Sequence, residues 1–119
     1  MSVGMPTNLL LEEFGSQVWS AFGTVPYLVG SALKSKKFRD VDVRLILDDE
    51  LYASMGLGDP EYPQHNAKWV SLVLAYSALG KQLTGLPIDF QIQQQTYANK
   101  KFKNPRSAIG ISFEWRTAK

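Results

Sequence analysis

Three aspartates stand where carboxylates can act together. Asp40 and Asp42 are two residues apart at the start of a run in which Val41, Val43, Leu45 and Leu47 alternate with other residues. That alternation reads as a strand with one apolar face, so both acids leave the same, opposite face with Cα atoms about 7 Å apart. Asp89 lies between Ile88 and Phe90 in a second alternating run that continues to Ile92, which puts it on the polar face of its own strand. If the two strands are neighbours, the third carboxylate joins the first pair. Oxygen ligands grouped in this way suit magnesium, which fills the rest of its shell with water and substrate phosphate. Upstream, an apolar run over residues 25–29 gives way to Gly30-Ser31, where free backbone N–H groups and a hydroxyl suit a phosphate. A Gly-Ser pair alone is an ordinary turn, and an Asp-x-Asp alone an ordinary strand end; the weight comes from their order together with Asp89.

These residues need a scaffold, and the rest of the chain supplies one. Leu10, Phe14, Val18 and Phe22 recur every four positions, predicting an amphipathic helix over residues 8–22 that ends at Gly23. The strand over 25–29 follows, then a short lysine-rich helix or turn over 31–37, then the Asp40–Asp42 strand. Asp48-Asp49-Glu50 reads as the charged start of a short helix through Tyr52 and Met55. Glycine and proline punctuate residues 56–64 before a long helix over 66–83, with Trp69, Leu72, Val73, Tyr76, Leu79 and Leu83 as its buried stripe. The Asp89 strand spans 88–93. Beyond Gln95 the pattern weakens into a basic loop, Lys100-Lys101-Phe102-Lys103, and a last strand over 109–115. The expected fold is α/β (α+β), a small mixed sheet with helices packed on it, in one domain of 119 residues with a basic C-terminal segment from about residue 98.

Composition narrows the chemistry. There is no cysteine, which removes disulfides, thiolate metal sites and a cysteine nucleophile. The single histidine, His65, removes histidine-rich metal sites and reads as a residue near a helix start. Trp19 and Trp69 read as packing residues rather than stacking platforms. No stretch approaches the roughly 20 apolar residues of a membrane span, and the N-terminus lacks the pattern of a signal peptide, so the expected setting is soluble and cytoplasmic, without a membrane partner. Charge is uneven: residues 1–61 hold five basic and nine acidic groups, and residues 62–119 hold eight basic and two acidic. The C-terminal half therefore suits an anionic ligand or is simply a solvated basic surface, and charge leaves both open.

The sequence VGS, an eight-residue gap and DVDV resembles the signature of the DNA polymerase beta-like nucleotidyltransferase superfamily, and the order of elements from about residue 9 to 93 resembles it too. The stretch is also similar to small phage-encoded proteins of that superfamily. It departs from most small bacterial members in a shorter gap before Asp40 and in having Ala32, Lys34 and Arg39 where other residues are common. The resemblance implies a phosphate-binding pair, Gly30 and Ser31, and three catalytic metal ligands, Asp40, Asp42 and Asp89. It implies two magnesium (or manganese) ions and transfer of a nucleoside monophosphate from a nucleoside triphosphate to a hydroxyl, with release of pyrophosphate. The acceptor would be a nucleic acid or a protein, and Lys34, Lys36, Lys37 or Arg39 would meet the outgoing pyrophosphate. So small a chain leaves little for a second domain, so a homodimer or a helical protein partner would complete the cleft. Two other readings remain open from sequence: a non-catalytic, antitoxin-like interaction protein on the same fold, and a nucleic-acid-binding module using the basic half. If Ser31 holds phosphate, Ser31→Ala should melt like wild type yet bind ATP less tightly in a titration; unchanged affinity would return Gly30-Ser31 to an ordinary turn.

Overall fold

In the computed structural model, which describes residues 5–30, 40–103 and 105–110 and side chains from residue 9 onward, the N-terminal apolar stripe becomes helix α1 (Met5–Phe22). Its buried residues are Leu11, Phe14 and Val18, while Leu10 is exposed, so the stripe enters the core one position later than the four-residue repeat suggested. Strand β1 (Tyr27–Val29) is shorter than expected and ends at Gly30. The segment 31–39, with its expected short helix, lies outside the described residues. Strand β2 (Val41–Leu47) buries Val41, Val43, Leu45 and Leu47 completely, as the alternation requires.

Helix α2 (Asp49–Ser54) starts where the acidic cluster predicts, because Asp48 accepts the Leu51 N–H at 2.7 Å and so caps an orphan donor. Asn66 does the same for α3 (Ala67–Thr84), accepting from the Trp69 N–H at 2.9 Å, and Gly85 closes that helix in a left-handed conformation (φ 74°). A 3-10 turn (Pro63–His65) precedes α3, and His65 stacks on Tyr62 there, which agrees with its reading as a residue beside a helix start. Trp69 and Val73 are buried in α3 and Leu72, Tyr76 and Leu83 partly so, but Leu79 is 38% exposed and not part of the stripe.

Strand β3 (Ile88–Gln94) runs directly into α4 (Gln95–Lys101), a helix where the sequence suggested only a basic loop. Only Ala98 of α4 is buried, so it carries no apolar stripe to read. Its first turn is instead fixed from outside: the Thr96 N–H and hydroxyl both donate to the Asp49 carboxylate, at 3.0 and 2.5 Å. A two-residue strand, β4 (Ser107–Ala108), stands just before the last strand the pattern suggested, most of which lies outside the described residues.

The four strands form one mixed sheet in the order β3-β2-β1-β4. β2 pairs in parallel with β3 and antiparallel with β1, which in turn pairs antiparallel with β4. The apolar face meets α1 and α3: Phe14 meets Phe90 edge-on, with 6.2 Å between centroids, and Tyr76 lies tilted against it at 5.4 Å. α3 comes close because residue 80 is glycine; a Cβ there would lie 2.9 Å from Ile88 and 3.0 Å from Phe14. Among the described residues the chain is thus a small α/β protein with four helices packed on a four-strand mixed sheet. No helix among the described residues is long and apolar enough to cross a membrane.

α3 also closes the outer edge of the sheet. The Phe90 N–H donates to Ser77 Oγ at 3.0 Å, and the Trp69 indole N–H donates to the Ile92 carbonyl at 2.8 Å. Both edge groups would otherwise be buried without partners, which is expensive. Trp69→Phe keeps an aromatic ring but orphans the Ile92 carbonyl, so urea unfolding should show a loss of about 1–3 kcal/mol, with the slope of the transition unchanged.

Candidate active site

Parallel pairing of β2 with β3 sets Asp42 directly opposite Asp89. Residues paired on neighbouring strands point to the same face, so both carboxylates stand on the side away from the helical core. Asp40 lies just before β2 and is exposed; its charge acts on Asp42. Antiparallel pairing of β1 with β2 sets Val29 opposite Asp42 and so brings Gly30 against it. Gly30 has φ 75°, and a Cβ on it would overlap Asp42 Oδ2, so the Asp42 carboxylate occupies the space that only a glycine leaves. Four of the five expected site residues, Gly30, Asp40, Asp42 and Asp89, therefore converge. Ser31 lies outside the described residues, as do Lys34, Lys36, Lys37 and Arg39.

Between the carboxylates stands a residue the spacing argument passed over. Arg44 follows Asp42 on the polar face of β2, and its Nη2 is 3.7 Å from Asp42 Oδ1 and 3.4 Å from Asp89 Oδ2. Both distances exceed the 2.7–2.9 Å of a tight charge-assisted bond. The firm anchor is elsewhere: Arg44 Nη1 donates to the Asp89 backbone carbonyl at 2.7 Å and to the Val43 carbonyl at 3.2 Å. The guanidinium is thus held by the backbone and faces the acids without binding either closely. Its side chain is 14% exposed, against 26% for Asp42 and 38% for Asp89, so the recess opens toward solvent at Asp89.

The carboxyl of Asp42 is pushed above the ordinary carboxylate range. Burial is the largest cause; Arg44 opposes it, and the charges of Asp89 and Asp40 and a hydrogen-bonding contact with Asp89 add to it. A carboxylate crowded by two others and only partly neutralised gains from a further cation. No group of three or more acidic, histidine or cysteine side chains among the described residues is arranged to hold a metal ion. Asp42 and Asp89 nonetheless offer an oxygen pair on one face, and magnesium is commonly held by one or two carboxylates with substrate phosphate completing its shell. The donor set fits magnesium or manganese in that two-carboxylate form, with Asp40 at its margin.

The recess continues down the sheet as a hollow of about 200 Å³ below the acids, with Arg44, Gln91 and Gln93 on its floor and Phe102 and Arg106 on its outer wall. A second hollow of about 250 Å³ adjoins it and shares Ile46 and Arg106. Gln91 and Gln93 alternate with Phe90 and Ile92 and so share the polar face of β3 with Asp89. Arg106 lies beyond the basic run of residues 100–103, in the segment whose far end is packed on α1: the Gly110 N–H donates to the buried Glu12 carboxylate at 2.9 Å, and Gly15 leaves α1 open to Ile109.

The Asp42 shift fixes a pH dependence. A folded-state pKa above the unfolded one means the folded protein holds this proton more tightly. Its contribution to stability is therefore present below the unfolded value and is lost as pH rises through the folded value. At neutral pH the ionised Asp42 is a net burden on the fold. Asp42→Asn should melt at a higher temperature than wild type at pH 7, and the gain should shrink toward zero as pH falls below the ordinary carboxylate value. A variant that melts lower at pH 7 would mean that Arg44 outweighs burial.

Comparison of the chain with protein-family models, with curated proteins and with solved structures finds no match.

Proposed function

We propose that the Asp42–Asp89 recess is the active site of a metal-dependent nucleotidyltransferase. The observation that carries the reading is the register of β2 against β3, which sets two carboxylates side by side on an open polar face with Gly30 closed against one of them. Opposite that face the helices build an apolar core, so the acids are mounted on two paired strands rather than on loops. The VGS and DVDV signature supplies the phosphate-binding and acidic parts of such a site in the expected order.

In this reading a nucleoside triphosphate lies with its phosphates toward Gly30-Ser31 and its α-phosphorus beside Asp42. Asp42 and Asp89, with Asp40 at the margin, would hold magnesium or manganese, which when bound would supply positive charge to the attacking and leaving oxygens of an in-line displacement. An acceptor hydroxyl enters at the more open, Asp89 side. Its oxygen bonds to the α-phosphorus, the bond from that phosphorus to the β-bridging oxygen breaks, pyrophosphate departs, and the hydroxyl proton passes to Asp89. Arg44, fixed by backbone carbonyls between the acids, keeps their mutual repulsion in check and leaves them poised for a doubly charged ion.

Two measurements test this. With magnesium or manganese and each of the four nucleoside triphosphates in turn, the melting temperature should rise; a ligand at a hundredfold excess over its dissociation constant adds about 2.7 kcal/mol. Asp42→Ala should lose that rise. Asp89→Asn, which keeps shape and hydrogen bonding but neither accepts the proton nor carries the charge, should keep the fold and lower transfer of labelled monophosphate to a cell-extract acceptor by about a hundredfold or more. Equal labelling by Asp89→Asn would remove Asp89 from the chemistry, and no labelling by wild type would favour an interaction protein on this fold.

A further inference from the structure

The second hollow, of about 250 Å³, is lined by Thr24, Tyr27, Ile46, Asp48, Gln95 and Arg106. Neither Asp42 nor Asp89 lines it, and Ile46 lies about 13 Å along β2 from Asp42. Its floor is the buried Ile46 side chain, with Tyr27 beside it on β1, opposite Arg44. One carboxylate and one guanidinium face this space, and they do not pair with each other. Among the described residues the ion pairs are those of Arg44 with Asp42 and Asp89. Asp48 caps α2 through Oδ1, accepting the Leu51 N–H at 2.7 Å, and its Oδ2 has no partner among the described residues. Arg106 Nη2 donates to the Phe102 carbonyl at a long 3.3 Å, and its other N–H groups have no described partner. The Thr24 and Tyr27 hydroxyls and the Gln95 amide likewise bond no described residue.

We propose that this hollow binds a free amino acid, with its ammonium group at Asp48 and its carboxylate at Arg106. Opposite charges that face one cavity without pairing select a ligand that carries both. A dicarboxylate would meet like charge at Asp48, and a diamine would meet it at Arg106. An uncharged ligand would take water from both charges and return no ionic partner. An amino acid answers each with a charge-assisted hydrogen bond, and its side chain is left to meet Ile46 and the Tyr27 ring. The Gln95 amide and the two hydroxyls then offer donors and acceptors that fix its orientation. Size agrees, since drug-sized ligands occupy roughly 300–1,000 Å³ and this hollow is smaller. The site stands apart from the Asp42–Asp89 recess and uses neither metal nor nucleotide, so it does not rest on the nucleotidyl-transfer reading.

The test is run at neutral pH in EDTA, without nucleotide. Each standard amino acid is screened singly for a rise in melting temperature, and the strongest binder is titrated by calorimetry. At least one should raise the melting temperature in a saturable way. Its N-acetyl derivative lacks the cation and its carboxamide lacks the anion, and each should bind about tenfold more weakly. Asp48→Asn removes the charge but keeps a residue that caps α2 equally well. It should weaken the amino acid about tenfold and leave affinity for the N-acetyl derivative unchanged. Arg106→Gln should weaken the amino acid similarly and leave affinity for the carboxamide unchanged. This crossed pattern separates direct contact from damage to the fold, which would weaken every ligand alike. The proposal is overturned by no response to any amino acid, by derivatives that bind as tightly as the parent, or by variants that keep wild-type affinity. It is overturned equally by variants that weaken parent and derivatives to the same extent.

Discussion

The seven-residue parallel register between β2 and β3 is the constraint on which the rest depends. Because side chains alternate, one register decides two things together. It turns Val41, Val43, Leu45, Leu47, Ile88, Phe90 and Ile92 toward the helices, and it turns Asp42, Arg44, Asp89 and Gln91 away from them. A slip of one residue would bury the acids and expose the core, so the apolar face enforces the alignment of the polar one. Core packing and site geometry are the same arrangement seen from two sides of the sheet.

Parallel strands also need a long crossover, and α3 fills that role while covering β3 from outside through Ser77 and Trp69. The sheet is therefore closed by side chains at the β3 edge, and its polar face is left to α4 and the segment around Arg106. The recess lies between the floor of the sheet and a wall that includes Phe102 and Arg106.

How much of this was legible in the sequence follows the range of the forces involved. Alternation located β2 and β3, and residue chemistry located Asp42, Asp89 and Gly30, because these signals are local. Arg44 was visible as a polar-face residue but not as a partner of Asp89, since that contact spans 45 residues. α4 was missed because its sequence carries no stripe and its start is fixed by Asp49, a residue of another helix. Leu10 and Leu79 were misplaced for a related reason: periodicity gives a helix face, whereas which edge of that face is covered depends on the neighbour. Arg106 needed the Glu12 contact across 98 residues.

The junction between β3 and α4 has a mechanical consequence. The strand ends at Gln94 and the helix begins at Gln95, so no loop residue intervenes. Asp89 and the lysines of α4 are thus two marks on one stiff rod, braced at its bend by the Asp49–Thr96 bonds. A protein built this way cannot grip by folding one part over another along this path. The separation between the two marks is therefore set by the backbone itself.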